Sequence, residues 1–551
     1  MRITKFLLLL MILALASILA ACSDDSADAE KKEDGTSNEE NASADSNAEG
    51  EGSGEGGTLT FALPGDIIAL DPAFSYDFAT NPVVTQITEG LLQFDENGQL
   101  QPLLAESWEA VDPTTYVYQI RDDVNFSDGS PMTIDDVIFS MERTMDPATA
   151  SYVGWMYSNV ESIEATGDWE ITVKLKQPDI LWRYAVGTTA GHIISKAYYE
   201  ENEANFGKPD GGVMGTGPFE YVEWKTGSEI TLKKNENYWD KSAGPYLDKI
   251  VYKMLPEGNT VVTGLKTGQV TATINLPLDL IEVVQAMDNV NIDAVDSYMS
   301  NFVAINVERE PLNDVNVRKA MNYALDKQKI MEKIVKDSGS PAKAVPVGPA
   351  LWIFNSDLWE EAYDELPGYE YDIEKAKEYL AKSSVPDGFS ATIMTESDTL
   401  KLNTALALQA AVKPLGIDLE IEKVTTEEAN TRAFGNKDYD MMMQTWGADF
   451  PDAVGNLQPV FHSSNSVDGG SNFSKYSNSE VDKYLDEQVA LTDDKERTEL
   501  MIKAEKIIAE DTPWIMIDHP KQMFVANTDV EGYTMKAMWY WDSFLKDVKF
   551  K

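Results

Sequence analysis

Cysteine is almost missing from this chain. Among 551 residues there is one, Cys22, so no disulfide can close within the chain. Histidine is nearly as scarce. His192, His462 and His519 are not spaced with one another as metal ligands would be, and no metal site or cofactor is expected. There is no Gly-rich phosphate loop after a strand, no H-E-x-x-H and no G-x-S-x-G. With the familiar catalytic signatures missing together, the sequence does not read as an enzyme. Positive charge is short as well: Lys and Arg number 45 against 93 Asp and Glu, a formal net charge of −48. That balance excludes a nucleic-acid partner, which demands basic patches. It also argues against the folded part lying on an anionic membrane. An acidic, solvated exterior suits an exported protein in salty or alkaline surroundings.

What is present begins with a leader. Arg2 and Lys5 make a short basic start, and Phe6 to Leu19 is apolar apart from Ser17. The run is short for a membrane span, which needs about 20 apolar residues. A basic start, a short apolar core and then small residues describe a secretory signal peptide over 1–21. Leu19-Ala20-Ala21-Cys22 closes it and resembles the bacterial lipobox at every position. In such precursors the thiol receives diacylglycerol and cleavage leaves Cys22 as the first residue. One acyl chain holds only marginally, so two or more give a lasting anchor. Cys22 is thus expected to carry a lipid and to hold the protein on the outer face of a cell membrane of Gram-positive type. The alternative is an ordinary secretory peptide with a stray thiol.

Residues 22–57 read as a lipidated tether, acidic and loose. They have no aromatic or large aliphatic residue and cannot offset the entropy of folding. Gly52-Ser53-Gly54-Glu55-Gly56-Gly57 satisfies G-x-G-x-x-G, but no strand precedes it and it reads as linker. The remainder is long enough for two or three domains. Alternation predicts strands at "TLTFALP" from Thr58, "YVYQI" from Tyr116, "EITVKLK" from Glu170 and "SEITLKK" from Ser228. A 3.6 period predicts helices over 315–335, after Asp372, and at about 479–490 and 494–510. "PWIMI" from Pro513 predicts a further strand. Strands and helices are mixed throughout, so the class is α/β or mixed α+β, and no internal repeat is visible.

Five separated motifs then speak together. They are "ALDPAFSYDFATNPVVTQITEGLLQFDENGQLQPLLAESWE" from Ala69, "IRDDVNFSDGSPMTIDDVIFSMER" from Ile120, "GTGPFEYVEWKTGSEITLKKNENYWD" from Gly215, "AINVEREPLNDVNVRKAMNYALDKQKI" from Ala304 and "TWGADFPDA" from Thr445. In this order and spacing they resemble the extracellular solute-binding proteins of ABC importers, in the branch that includes oligopeptide-, dipeptide- and nickel-binding lipoproteins. The resemblance covers nearly all of 58–551. It implies a two-lobed, type II (cluster C) periplasmic-binding-protein-like fold with an extra subdomain. Lobe I would comprise 58–89, 184–302 and 518–551, the extra subdomain 90–183, and lobe II 303–517. The partners it implies are a peptide ligand and the permease subunits of an ABC transporter, with the binding protein itself a monomer.

The resemblance also implies the site. In peptide-binding relatives the acid at the place of Asp449, in Trp446-Gly447-Ala448-Asp449, pairs with the peptide's α-ammonium. The chemistry is sound, because a charge-assisted hydrogen bond in a closed cleft contributes about 1.5–3 kcal/mol. The plainer reading makes Asp449 the cap of the following turn. Trp446 either walls a side-chain pocket or packs in the core. Tyr76 and Phe78 follow the Leu70-Asp71-Pro72 turn, a loop that in the family lies along the ligand backbone. Tyr152 and Trp155, with Tyr157, sit where the extra subdomain can reach the cleft, or are core. One position departs from the family: the oligopeptide branch has an arginine three residues before the tryptophan, and here that residue is Met443. A different solute (an oligosaccharide, an opine-like amine or a nickel chelate) and peptide-pheromone sensing stay open. So, more remotely, does a lipid-anchored hydrolase using Asp449 and Asp452 as paired acids.

Overall fold

The computed structural model describes residues 56–551 apart from Ala243 and Asn275. The leader, Cys22 and all but the last two residues of the tether lie outside the described residues. Among the described residues no helix is long and apolar enough to cross a membrane.

A twelve-stranded sheet runs through the molecule. On one side Phe219–Lys225, Glu229–Lys234, Lys249–Met254, Thr58–Leu63 and Ala272–Ile274 stand in that order. On the other stand Met299–Ile305, Met441–Gly447, Ser390–Thr395 and Asp418–Lys423. The strand Trp514–Asn527 joins the two sides. Its first part pairs with Met299–Ile305, with Trp514 opposite Ala304 and Asp518 opposite Asn301. Its last part pairs with Val290–Asp296 and Ala272–Ile274. The chain therefore passes between the two sides within this strand and again between Asp296 and Met299. Those two passages are tied where Ser297 N–H donates to the Pro520 carbonyl at 3.2 Å.

Alternating burial explains the strands. In Lys249–Met254 the residues Ile250, Tyr252 and Met254 are buried and the residues between them are half-buried. Each such side chain withdrawn from water contributes about 1.5–3 kcal/mol. Separate apolar clusters back the two sides: Leu59, Phe61 and Tyr252 on one, Val303, Ile305 and Met321 on the other. A four-stranded antiparallel sheet stands apart, in the order Ala105–Asp112, Thr115–Ile120, Glu170–Leu175 and Val160–Gly167.

Two elements differ from the sequence reading. The single helix expected over 315–335 is a helix Val315–Ala324, an extended Leu325, a second helix Lys327–Ile330 and a wider π turn Met331–Val335. Asp326 makes the break, because its carboxylate accepts the Lys329 N–H at 3.1 Å and starts a new helix. The strand expected at Pro513 is far longer, 14 residues, and is buried or half-buried along its whole length. The polar Asp518, His519 and Lys521 interrupt the apolar run where it changes partners. The other strands and helices expected from alternation and the 3.6 period form at their places. Gly268, in the left-handed region at φ +75°, closes the helix Gly258–Thr267.

Candidate functional site

Two loops meet across the gap between the sides of the sheet. The first is held rigid by its own hydrogen bonds. Asp71 accepts the Ala73 N–H at 3.0 Å and pairs with Arg143. Asp77 accepts the N–H groups of Ala79 and Thr80 at 2.8 and 2.9 Å. Between these anchors Tyr76 and Phe78 project outward. The second loop leaves the end of Met441–Gly447 and delivers Ala448 and Asp449. The two meet where the Tyr76 hydroxyl donates to Asp449 Oδ1 at 2.7 Å. The 3₁₀ turn Trp539–Trp541 fixes the second loop from behind. Tyr540 OH donates to the Ala448 carbonyl at 3.1 Å, and Trp541 Nε1 donates to the Asp449 carbonyl at 3.0 Å.

These groups enclose a chamber of about 210 Å³, lined by Tyr76, Phe78, Trp446, Gly447, Ala448 and Asp449 together with Asp77, Tyr540, Trp541 and Gln522. A second chamber of about 700 Å³ adjoins it, and both share Phe78, Met299, Thr445 and Gln522 as lining. The result is one elongated cleft with Asp449 in its narrow part.

The narrow chamber is rich in acceptors. Asp449 keeps an edge toward solvent, but protein surrounds the carboxyl on its other sides. That desolvation pushes its pKa from the ordinary 3.8 up to about 6, against the Tyr76 hydrogen bond, which pulls it down. Burial, reinforced by the Asp449 charge, holds the Tyr76 phenol far above its ordinary value, so it stays a donor. Three further aromatic donors are engaged. Trp446 Nε1 binds the Gly455 carbonyl at 3.0 Å, and the Tyr540 and Trp541 donors serve backbone carbonyls. Two fully buried acceptors on its wall, Asp77 Oδ2 and Gln522 Oε1, have no partner among the described residues. Among the described residues no lysine or arginine lines the chamber.

The wide chamber is mixed. Lys401 pairs there with Glu396, and Lys521 also lines the wall. Asp518 accepts from Asn301 Nδ2 at 3.1 Å, and burial pushes its carboxyl up to about 7 against that bond. Asn301 in turn accepts the Thr445 hydroxyl at 2.6 Å.

Six of the eight binding candidates from the sequence come together in the narrow chamber. Tyr152 and Trp155 line neither chamber. They are about half exposed, Tyr152 edge-on to Phe74 at 5.4 Å and Trp155 against Phe450 at 6.0 Å. The turn after Asp449 is capped by Asp452, which accepts the Val454 N–H at 3.1 Å. Asp452 is no partner in acid–base work either. Burial opposes its ionisation, but Arg497 at 2.9 Å and Arg183 at 3.6 Å outweigh burial and hold it below its ordinary value. Met443 is buried in the apolar cluster of Val303 and Ile305, so the arginine of the oligopeptide branch has no counterpart facing the cleft from this position. Gln522, Asp77, Tyr540 and Trp541 escaped the sequence reading. The aromatic run Trp539-Tyr540-Trp541 is visible in the sequence, but nothing local ties it to Asp449. Among the described residues no group of three or more His, Cys, Asp or Glu could hold a metal ion.

Residues 99–468 match the model of the bacterial extracellular solute-binding proteins, family 5. The chain belongs to that family. The family 5 protein described here is a binding protein and not an enzyme. It is 29% identical over 506 residues to the oligopeptide-binding protein AppA of Bacillus subtilis, a match that spans 87% of this chain and 89% of AppA. It is 30% identical over 485 residues to heme-binding protein A of Haemophilus influenzae, 83% of this chain and 85% of that protein. Among solved structures, the periplasmic binding protein DppA of Helicobacter pylori in complex with the peptide STSA superposes with a TM-score of 0.76 at 28% identity. That match covers 90% of this chain and 98% of DppA. The two-lobed, mixed α/β fold is thereby shared with these neighbours.

Proposed function

We propose that this family 5 protein captures extracellular peptides and hands them to the permease of an ABC importer. One observation carries the reading. The narrow chamber offers two carboxylates and a glutamine oxygen, the donors of Trp446, Tyr540 and Trp541 are engaged, and among the described residues no basic side chain lines it. Such a chamber favours a group that is cationic and only donates, as a peptide's α-ammonium is. Asp449 is the anchor, Tyr76 orients its carboxylate, and Trp446, Gly447, Ala448 and Phe78 shape the walls around the first residue. The wide chamber takes the rest of the ligand. Tyr152 and Trp155 reach the ligand only in a more closed form.

The proposal includes the architecture that would deliver the cargo. Residues 58–89, 184–302 and 518–551 form one lobe, 303–517 the other and 90–183 the extra subdomain. Ligand bound between the lobes favours a closed shape that the permease reads, a hinge device of known type. Cys22 carries the lipid that keeps the protein on the outer face of the cell membrane, and the tether lets it reach the permease. Kinship with the oligopeptide-binding AppA supports the peptide reading.

Calorimetry with penta-alanine and its N-acetylated form tests the anchor. The free peptide is expected to bind at least about tenfold more tightly, and equal affinity for the two would overturn the ammonium reading. For the lipid, Cys22→Ser is expected to release the protein into the medium or leave an uncut precursor. A cleaved variant that stays on the membrane would contradict it.

A further inference from the structure

We propose that the side-chain amide of Gln522 reads the first peptide bond of the ligand. The inference rests on the ammonium reading of Asp449 and extends it by one chemical group.

Gln522 stands on the long strand Trp514–Asn527, close after the point where that strand changes partners. Its side chain lines both chambers, so it lies at their junction. The residue is 4% exposed. Its Oε1 nevertheless has no hydrogen-bond partner among the described residues. Its Nε2 reaches only the Met299 sulfur, at 3.2 Å, and a thioether is a weak acceptor. A primary amide withdrawn from water is normally satisfied on both atoms. Among the other polar side chains near the junction, the Thr445 hydroxyl is engaged by Asn301 and the Ser297 hydroxyl by the Pro520 carbonyl. Gln522 is therefore left with its oxygen unused and, of its two N–H donors, only one engaged, and that weakly.

That capacity matches one partner well. A secondary amide offers an N–H and a C=O on adjacent atoms, and a glutamine amide can answer either. The spacing agrees. A compact volume of 210 Å³ is roughly 7 Å across, about two extended residues of chain. An α-ammonium on Asp449 thus places the next linkage near the junction. Gln522 makes the site ask for an amide beside the ammonium. A ligand that presents only apolar atoms beside the ammonium leaves Gln522 unanswered, and a buried polar group left unpaired selects strongly against such a ligand.

The test compares penta-alanine with the analogue in which its first amide is replaced by an ester, the free amine being retained. Both are titrated calorimetrically into the wild-type protein and into Gln522→Leu. Wild type is expected to bind the ester about tenfold less tightly, while Gln522→Leu binds amide and ester alike and both more weakly than wild type binds the amide. Equal affinity of wild type for amide and ester overturns the proposal, and so does a Gln522→Leu protein that still discriminates. The wild-type comparison needs no variant and stands even if Gln522→Leu does not fold. If the acetylated peptide binds as well as the free one, the Asp449 reading falls while the ester comparison still decides on Gln522. Failure of wild type to bind penta-alanine at all overturns both.

Discussion

Asp449 and Asp452 lie three positions apart on one loop, and the fold treats them in opposite ways. Asp452 is met by the buried Arg497 and by Arg183, and its carboxyl is held below its ordinary range against the penalty of burial. Asp449 is met by one neutral hydroxyl, and desolvation pushes it up to about 6. A buried acid whose charge is answered from within serves the architecture. One whose charge is left unanswered, beside an open chamber, is set up for a visitor. The acid without an internal counter-charge, Asp449, is the one assigned to the ligand, and substitution at either position tests that assignment.

The largest effect is expected at Asp452. Its replacement by alanine leaves the buried Arg497 with only the partly exposed Asp494, at 3.3 Å, as counter-ion and should lower stability by about 3 kcal/mol, measured by urea denaturation of the ligand-free protein. A loss below about 1 kcal/mol would mean the pair is no more than a surface contact. Asp449→Asn should do the reverse. Affinity for penta-alanine is expected to fall about tenfold or more, while the ligand-free fold survives. Stability sharpens the contrast. The folded pKa of Asp449, about 6, lies above its ordinary 3.8, so the folded state binds the proton more tightly. Wild type therefore loses stability as pH rises from about 4 through 6, and the Asp449→Asn variant, which has no proton to lose there, does not. Discounting for the solvent-facing edge, the variant should be more stable at pH 7 by on the order of 1 kcal/mol. That gain should vanish near pH 4. Thermal melts of both proteins across this range check it.

Smaller still is Tyr76→Phe. The ring remains and the hydrogen bond that favours the carboxylate is lost. The apparent pKa of Asp449 should rise further, and affinity at pH 7 should drop a few-fold, about the worth of one hydrogen bond. In wild type, affinity for a cationic peptide should weaken as pH falls through about 6, with proton release on binding there. A pH-independent affinity between about 5 and 8 would show that Asp449 does not meet the cation.

Asp449 was legible because it stands in a short local motif, and Tyr76 and Phe78 because they follow a marked turn. Strands with clean alternation, such as Lys249–Met254, are legible for the same reason: burial on one face writes a period into the sequence. What decides between Asp449 and Asp452 is not local. It depends on Arg497, 45 residues on, and on Trp541, 92 residues on. Gln522 was hidden by its own surroundings. The strand that bears it is covered on both faces, so it shows no alternation, and one glutamine in a polar interruption gives no signal. The break at Asp326 was hidden in turn by a helix period that resumes after it.

The long strand Trp514–Asn527 has a mechanical corollary. It is bonded to both sides of the sheet, and Gln522 sits inside it. Any swing of one side against the other must twist the same backbone that presents this amide to the cleft. Axle and gauge are one piece of polypeptide, so a cargo that seats against the gauge biases the swing directly, and no relay of distant side chains is required to carry the message.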